Sequence, residues 1–158
     1  MAARPPDDDR TTIIALLQQI TASWRVVTPS EAARLRQHFA LHVLPNQPTA
    51  RVLDKYAQHV EDDGQWPTDI SPEEYLESIR DTVRYPQGGI YLAEAEVERT
   101  WTIYFVGSVP YRSRGRHAGD RIVVLFNAER LFWITGFQAE AGDVYVDRRP
   151  GFWAHPSR

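Results

Sequence analysis

The chain contains no cysteine, which excludes disulfide staples and thiolate metal ligands alike. No apolar run approaches the roughly 18 residues of a membrane-spanning helix. The opening residues, MAARPPDDDR, are too acidic and polar for a secretory signal, so the expected location is the cytoplasm. No glycine-rich loop links a strand to a helix, and there is no G-x-S-x-G elbow, so neither a nucleotide-phosphate fold nor an α/β-hydrolase nucleophile is supported. Internal repeats and low-complexity stretches are also missing.

What is present is an ordinary globular composition: 158 residues, 42% hydrophobic and 25% charged, with a formal net charge of −3. That length suffices for one domain with a real core. The charge is unevenly spread. Residues 59–81 hold eight acids against Arg80 alone, whereas residues 107–121 hold Arg112, Arg114, Arg116 and Arg121 against Asp120. Bulk charge therefore speaks against a general nucleic-acid coat protein and leaves room for a local anion site.

Along the chain, Pro5-Pro6 and three consecutive aspartates predict a disordered tail over residues 1–10. Ile13, Ile14, Leu17 and Ile20 fit one face of a helix ending near Trp24. Thr28-Pro29-Ser30-Glu31 starts a second helix, capped by Thr28 or by Ser30, which runs to about Leu44 with Ala32, Leu35, Phe39 and Val43 inward. Residues 11–45 would form a helical N-terminal extension. A third helix begins at Pro48-Thr49, with Val52, Leu53, Tyr56 and Val60 inward and His59 near its end. Ser71-Pro72-Glu73-Glu74 starts a fourth, carrying Tyr75, Leu76, Ile79 and Val83, and Pro86 with Gly88-Gly89 ends it.

After Gly89 the period changes from helical to extended. Strands are predicted at Ile90–Ala93, Arg99–Gly107, Ile122–Phe126 and Leu131–Phe137, with a short edge strand over Asp143–Asp147 and a tail over residues 148–158. The last two main strands make a hairpin across Asn127–Arg130. In the second of them Leu131, Trp133, Thr135 and Phe137 should share one face, and Phe132, Ile134, Gly136 and Gln138 the other. Helices first and strands afterwards is α+β ordering: about four helices, then a four- to five-stranded antiparallel meander, with residues 46–147 as the main α+β domain.

Several side chains invite chemistry. A strand threonine among aromatics, Thr135, has a glycine beside it that opens space. His38 and His42 lie four apart on one helix but lack the third ligand a metal site needs, so no metal and no cofactor is assigned. Arg112, Arg114 and Arg116, with His117, could present guanidinium forks to phosphates; Arg84, just before Pro86, is a weaker addition. His59 ends a helix amid acids. Both features raise a histidine pKa, which would make His59 either a proton donor near neutral pH or simply a surface histidine. Tyr104, Tyr111 and Trp133 could stack a base.

The span from about Tyr56 to Gln138 resembles the barnase–EndoU–colicin E5/D–RelE superfamily of metal-independent ribonucleases, and most closely its phage-associated branch. The resemblance lies in Tyr56-Ala57-Gln58-His59-Val60, in the helix Glu74–Val83 followed by Tyr85-Pro86, and in the strands Trp101–Val106, Ile122–Leu125 and Trp133–Phe137. Ile134-Thr135-Gly136-Phe137 stands where that branch has a threonine, a small residue and a tyrosine, so this chain lacks a hydroxyl at its end. The resemblance implies a toxin-like nuclease of the phage-associated kind. His59 would be its general acid/base and Thr135 a hydroxyl orienting phosphate. RNA, with tRNA among the candidates, would be the substrate, and an inhibitor or antitoxin protein the restraining partner. The competing expectation is a non-catalytic binding module for a protein or nucleic acid, with Phe39, Leu41 and Val43 presented to a second copy in a homodimer.

Overall fold

The computed structural model describes residues 6–94, 99–140 and 152–156. Among these residues four helices precede a five-stranded antiparallel sheet. The helices are α1 (Pro6–Ser23), α2 (Pro29–His38, continued by a π-helical turn over Phe39–Val43), α3 (Ala50–Tyr56, continued as π-helix over Ala57–Asp62) and α4 (Pro72–Arg84). The strands are β1 (Gly89–Glu94), β2 (Trp101–Ser108), β3 (Arg121–Asn127), β4 (Phe132–Ala139) and β5 (Phe152–Pro156). Their spatial order is β4-β3-β2-β1-β5: β1 to β4 form a meander, and β5 adds to the free edge of β1.

The start signals act as their chemistry dictates. Thr28 Oγ1 accepts from Glu31 N while Thr28 N donates to the Glu31 carboxylate, and Ser71 with Glu74 repeats the arrangement, each with proline in the first turn. Of the two caps open for α2, Thr28 is therefore the one used. In the β3–β4 turn Asn127 Oδ1 accepts from Glu129 N (2.9 Å) and Arg130 N (2.7 Å), and Leu131 takes φ 55° to close it.

One face of the sheet packs on the helices through Ile90, Leu92, Ile103, Phe105, Ile122, Val124, Phe126 and Trp133. Phe39 is wholly buried there, its ring 5.4 Å from Phe105 and 4.8 Å from Phe126. Residues 11–45 are thus not an appendage: Ile13, Leu17, Ile20 and Leu35 belong to the same core as the strands. Phe39 is likewise not a side chain offered to a second copy, because its surface is already spent on the sheet. Leu53, expected inward, is 47% exposed.

Two tails differ from expectation. Residues 6–10 of the expected disordered stretch are the first turn and a half of α1, since prolines and aspartates are acceptable where helix N–H groups have no partners. Part of the expected C-terminal tail, residues 152–156, is β5. The strand expected over Asp143–Asp147 lies outside the described residues.

The second face of the sheet carries Tyr91, Ala93, Tyr104, Val106, Val123 and Leu125. Here the predicted alternation of β4 fails for a definite reason. Leu125 pairs with Thr135 but Phe126 pairs with Trp133, so Ile134 is an extra residue, a β-bulge. The bulge reverses the phase. Trp133 faces the helices, while Thr135 and Phe137 turn to the second face opposite Leu125 and Val123. Gly136 then faces α4, and a Cβ there would stand 2.6 Å from Ile79 Cδ1, so the glycine lets the helix approach rather than opening space beside Thr135. Tyr75 Oη donates to Gly136 O across that contact (2.6 Å).

Among the described residues no helix is long and apolar enough to cross a membrane.

Candidate functional site

An open cleft of ≈ 840 Å³ lies between α3 with its π-helical end and the second face of β2, β3 and β4. The helix contributes Arg51, Lys55, Gln58, His59 and Asp63; the sheet contributes Thr102, Tyr104, Leu125, Asn127, Phe132, Ile134, Thr135 and Phe137. β4 is the edge of the sheet, which allows a helix beside it to reach that face.

At the centre of the wall is a three-residue chain. His59 Nε2 is 3.1 Å from Thr135 Oγ1, and His59 Nδ1 is 3.2 Å from Asp63 Oδ2. An ionised carboxylate only accepts, so Nδ1 carries the proton; in the neutral ring Nε2 is then the acceptor, and Thr135 donates to it. The backbone makes the His59–Asp63 contact easy. Asp63 N bonds Gln58 O, five residues back, and the wider π turn brings residues four apart into closer alignment.

His59 is 6% exposed. Burial lowers its pKa below the ordinary histidine value; the hydrogen bond and charge of Asp63 oppose this, and Lys55 reinforces it. The expected upward shift therefore does not occur: of the acids in this segment only Asp63 acts on the ring, and desolvation of the ring outweighs it. A neutral imidazole with an available Nε2 is a proton acceptor at neutral pH.

The positive charge also comes from an unexpected quarter. Arg51 lies beside β4, its Nη1 3.5 Å from Ile134 O, and Lys55 lies one turn further on. Together with Gln58 and His59 they form a polar stripe at helical spacing that lines the cleft, beside the buried Val52 and Val60. That i, i+4, i+7/i+8 recurrence is a signal the sequence does carry, interleaved with the apolar face of the same helix.

The loop arginines are elsewhere. Arg112 lines a separate cleft with Trp66, Glu74, Glu77 and Asp81, while Arg114 and Arg116 do not line the cleft at His59. Their loop acts as a brace. Gly115 N donates to Gln65 O (2.9 Å) and His117 N to Gly64 O (2.8 Å), with the His117 ring against Gly64. Gln138 completes it, donating from Nε2 to Ser113 O and from its backbone N to Gln65 Oε1. Gln65 in turn lines the cleft. Arg84 pairs with Glu77 and Asp81 on α4, away from the cleft.

Of the aromatics expected to stack a base, Tyr104 lines the cleft but is fully buried, Trp133 faces the helices, and Tyr111 is exposed outside the cleft. The exposed ring that does line it is Phe132. Among the described residues no group of three His, Asp or Glu side chains could hold a metal ion, His38 and His42 included. No family model, curated protein or solved structure matches this chain.

Proposed function

We propose that the chain is a metal-independent endoribonuclease, of the kind the resemblance to the barnase–EndoU–colicin E5/D–RelE superfamily implies. One observation carries this reading: His59 Nε2 and Thr135 Oγ1, 76 positions apart in the chain, approach to 3.1 Å inside an open cleft flanked by Arg51 and Lys55. A ribose 2′-hydroxyl taking the place of the threonine proton at Nε2 gives its proton to neutral His59 as its oxygen attacks the adjacent phosphorus. The new P–O2′ bond closes a cyclic phosphate, the P–O5′ bond breaks, and the 5′-oxygen takes a proton from solvent at the cleft mouth. Thr135, released from His59, donates to a non-bridging oxygen. Arg51 and Lys55 offset the charge that builds on the phosphorane. An enzyme of this type needs an inhibitor protein to protect the RNA of the cell that makes it, which fits a toxin-like role.

The test is incubation of the purified protein with mixed RNA in excess chelator, with His59→Ala and Thr135→Val alongside. Cleavage that survives chelation, leaves 2′,3′-cyclic phosphate ends and is lost with His59→Ala supports the reading. Intact RNA with the folded wild-type protein overturns it in favour of a binding module.

A further inference from the structure

The second face of the sheet is organised in rows that run across the strands, because antiparallel partners stand opposite one another. Tyr104, Leu125 and Thr135 form one row, and Thr102, Asn127 and Phe132 form the next. Successive same-face rows are about 7 Å apart, close to the span of one extended nucleotide. The bulge at Ile134 is what sets Phe132 and Thr135 on the same face, three positions apart in sequence.

Phe132 is the anomaly in its row. Its neighbours Thr102 and Asn127 are 5% and 6% exposed, but Phe132 is 42% exposed, a phenyl ring on an edge strand at the rim of a cleft. Asn127 beside it is immobilised by its own turn. With Oδ1 occupied by two backbone N–H groups, its amide N–H groups remain as donors in the cleft wall. Arg51 reaches β4 at the carbonyl of Ile134, which lies in sequence between Phe132 and Thr135.

We infer that Phe132 is the stacking platform for a nucleobase one nucleotide removed from the phosphate at His59 and Thr135, so that the cleft takes single-stranded RNA with one base laid on the ring and its backbone under Arg51. This rests on the ribonuclease reading and extends it. Double-stranded RNA is excluded as the bound form, because a base must leave its stack to lie on a ring inside a cleft. Stacking accepts every base, so this subsite adds affinity with little sequence preference.

The test uses a fluorescein-labelled 2′-O-methyl oligouridylate, which binds but cannot be cut because its 2′-oxygen carries no proton. Its anisotropy is titrated with wild-type protein and with Phe132→Ala, Phe132→Leu and Phe132→Trp. Loss of one stacked base should weaken binding about 5- to 150-fold in the alanine variant. The leucine variant, which keeps apolar area but has no π face, should weaken nearly as much, and tryptophan should bind as tightly as wild type or tighter. The exposed position makes all three compatible with folding. Binding by Phe132→Ala within twofold of wild type, or wild-type binding by Phe132→Leu, overturns the subsite while leaving the nuclease reading intact if wild type still cuts RNA. Failure of wild type both to bind the probe and to cut RNA overturns the two together.

Discussion

Replacing Gly136 by alanine tests the packing that sets the site's geometry. The added Cβ would lie 2.6 Å from Ile79 Cδ1 and 2.9 Å from Ile79 Cγ1, where carbon atoms normally rest about 3.5–4.0 Å apart. Rotating χ2 of Ile79 moves Cδ1 but leaves Cγ1 in place, and Ile79 is wholly buried on α4, a helix in which a β-branched side chain has essentially one χ1 rotamer. The methyl group therefore has to displace α4 or β4. Overpacking of this kind costs about 1–3 kcal/mol. Alanine also narrows the unfolded ensemble, which returns about 0.4–1 kcal/mol. The clash wins, for a net loss of roughly 0.5–2 kcal/mol, or about 1–8 °C in Tm for a chain of this length. Urea and thermal unfolding of wild type, Gly136→Ala, Ile79→Val and the double variant form the assay. Ile79→Val alone should cost about 0.5–1.5 kcal/mol, and less in the alanine background, where it removes one of the two clashing atoms. A Gly136→Ala protein as stable as wild type, or a double variant whose losses simply add, would refute the account of how α4 seats β4 and hence Thr135.

Other outcomes follow from the same geometry. Because burial depresses the His59 pKa, the acid limb of the cleavage profile should lie below pH 6.5, the ordinary histidine value. Asp63→Asn, which keeps an acceptor for Nδ1 but removes the charge that raises that pKa, should move the limb to still lower pH; Asp63→Ala, which frees the tautomer, should lower kcat toward the about 10²–10⁴-fold limit of a lost general base. A limb that moves to higher pH in Asp63→Asn would contradict the hydrogen-bond assignment. Stability should follow the same sign: His59 and His38 are both held neutral by burial, so their contribution is complete above about pH 6.5 and is lost as pH falls through their lowered values, which acid titration of the folded protein would read. Finally, Arg51→Gln with Lys55→Gln should flatten the salt dependence of oligonucleotide binding by about 0.7 in log–log slope for each phosphate that is no longer neutralised. The same exchange at Arg114 and Arg116 should leave the slope unchanged, and the reverse result would assign the phosphate grip to the loop.

Helices, turns and strands were legible in the sequence because each is written in local chemistry. Thr28 with Glu31 and Ser71 with Glu74 close their own capping boxes, Asn127 folds its own turn, and the change from helical to alternating period at Gly89 needs no distant partner. The contact of His59 with Thr135 was not legible in this way, since nothing local joins residues 76 apart. Three features were decided only by the tertiary structure. The bulge at Ile134 depends on how β4 registers against β3, so alternation counted along β4 alone put Trp133 and Thr135 on one face. The arginine-rich loop looked like a phosphate grip because charge is visible in sequence, whereas the backbone bonds that dock it on Gly64 and Gln65 are not; the cations that reach the cleft ride on α3. The direction of the His59 pKa shift belongs with these two. Neighbouring acids can be counted along a chain, but desolvation depends on whatever the fold packs around the ring, and here it outweighs them.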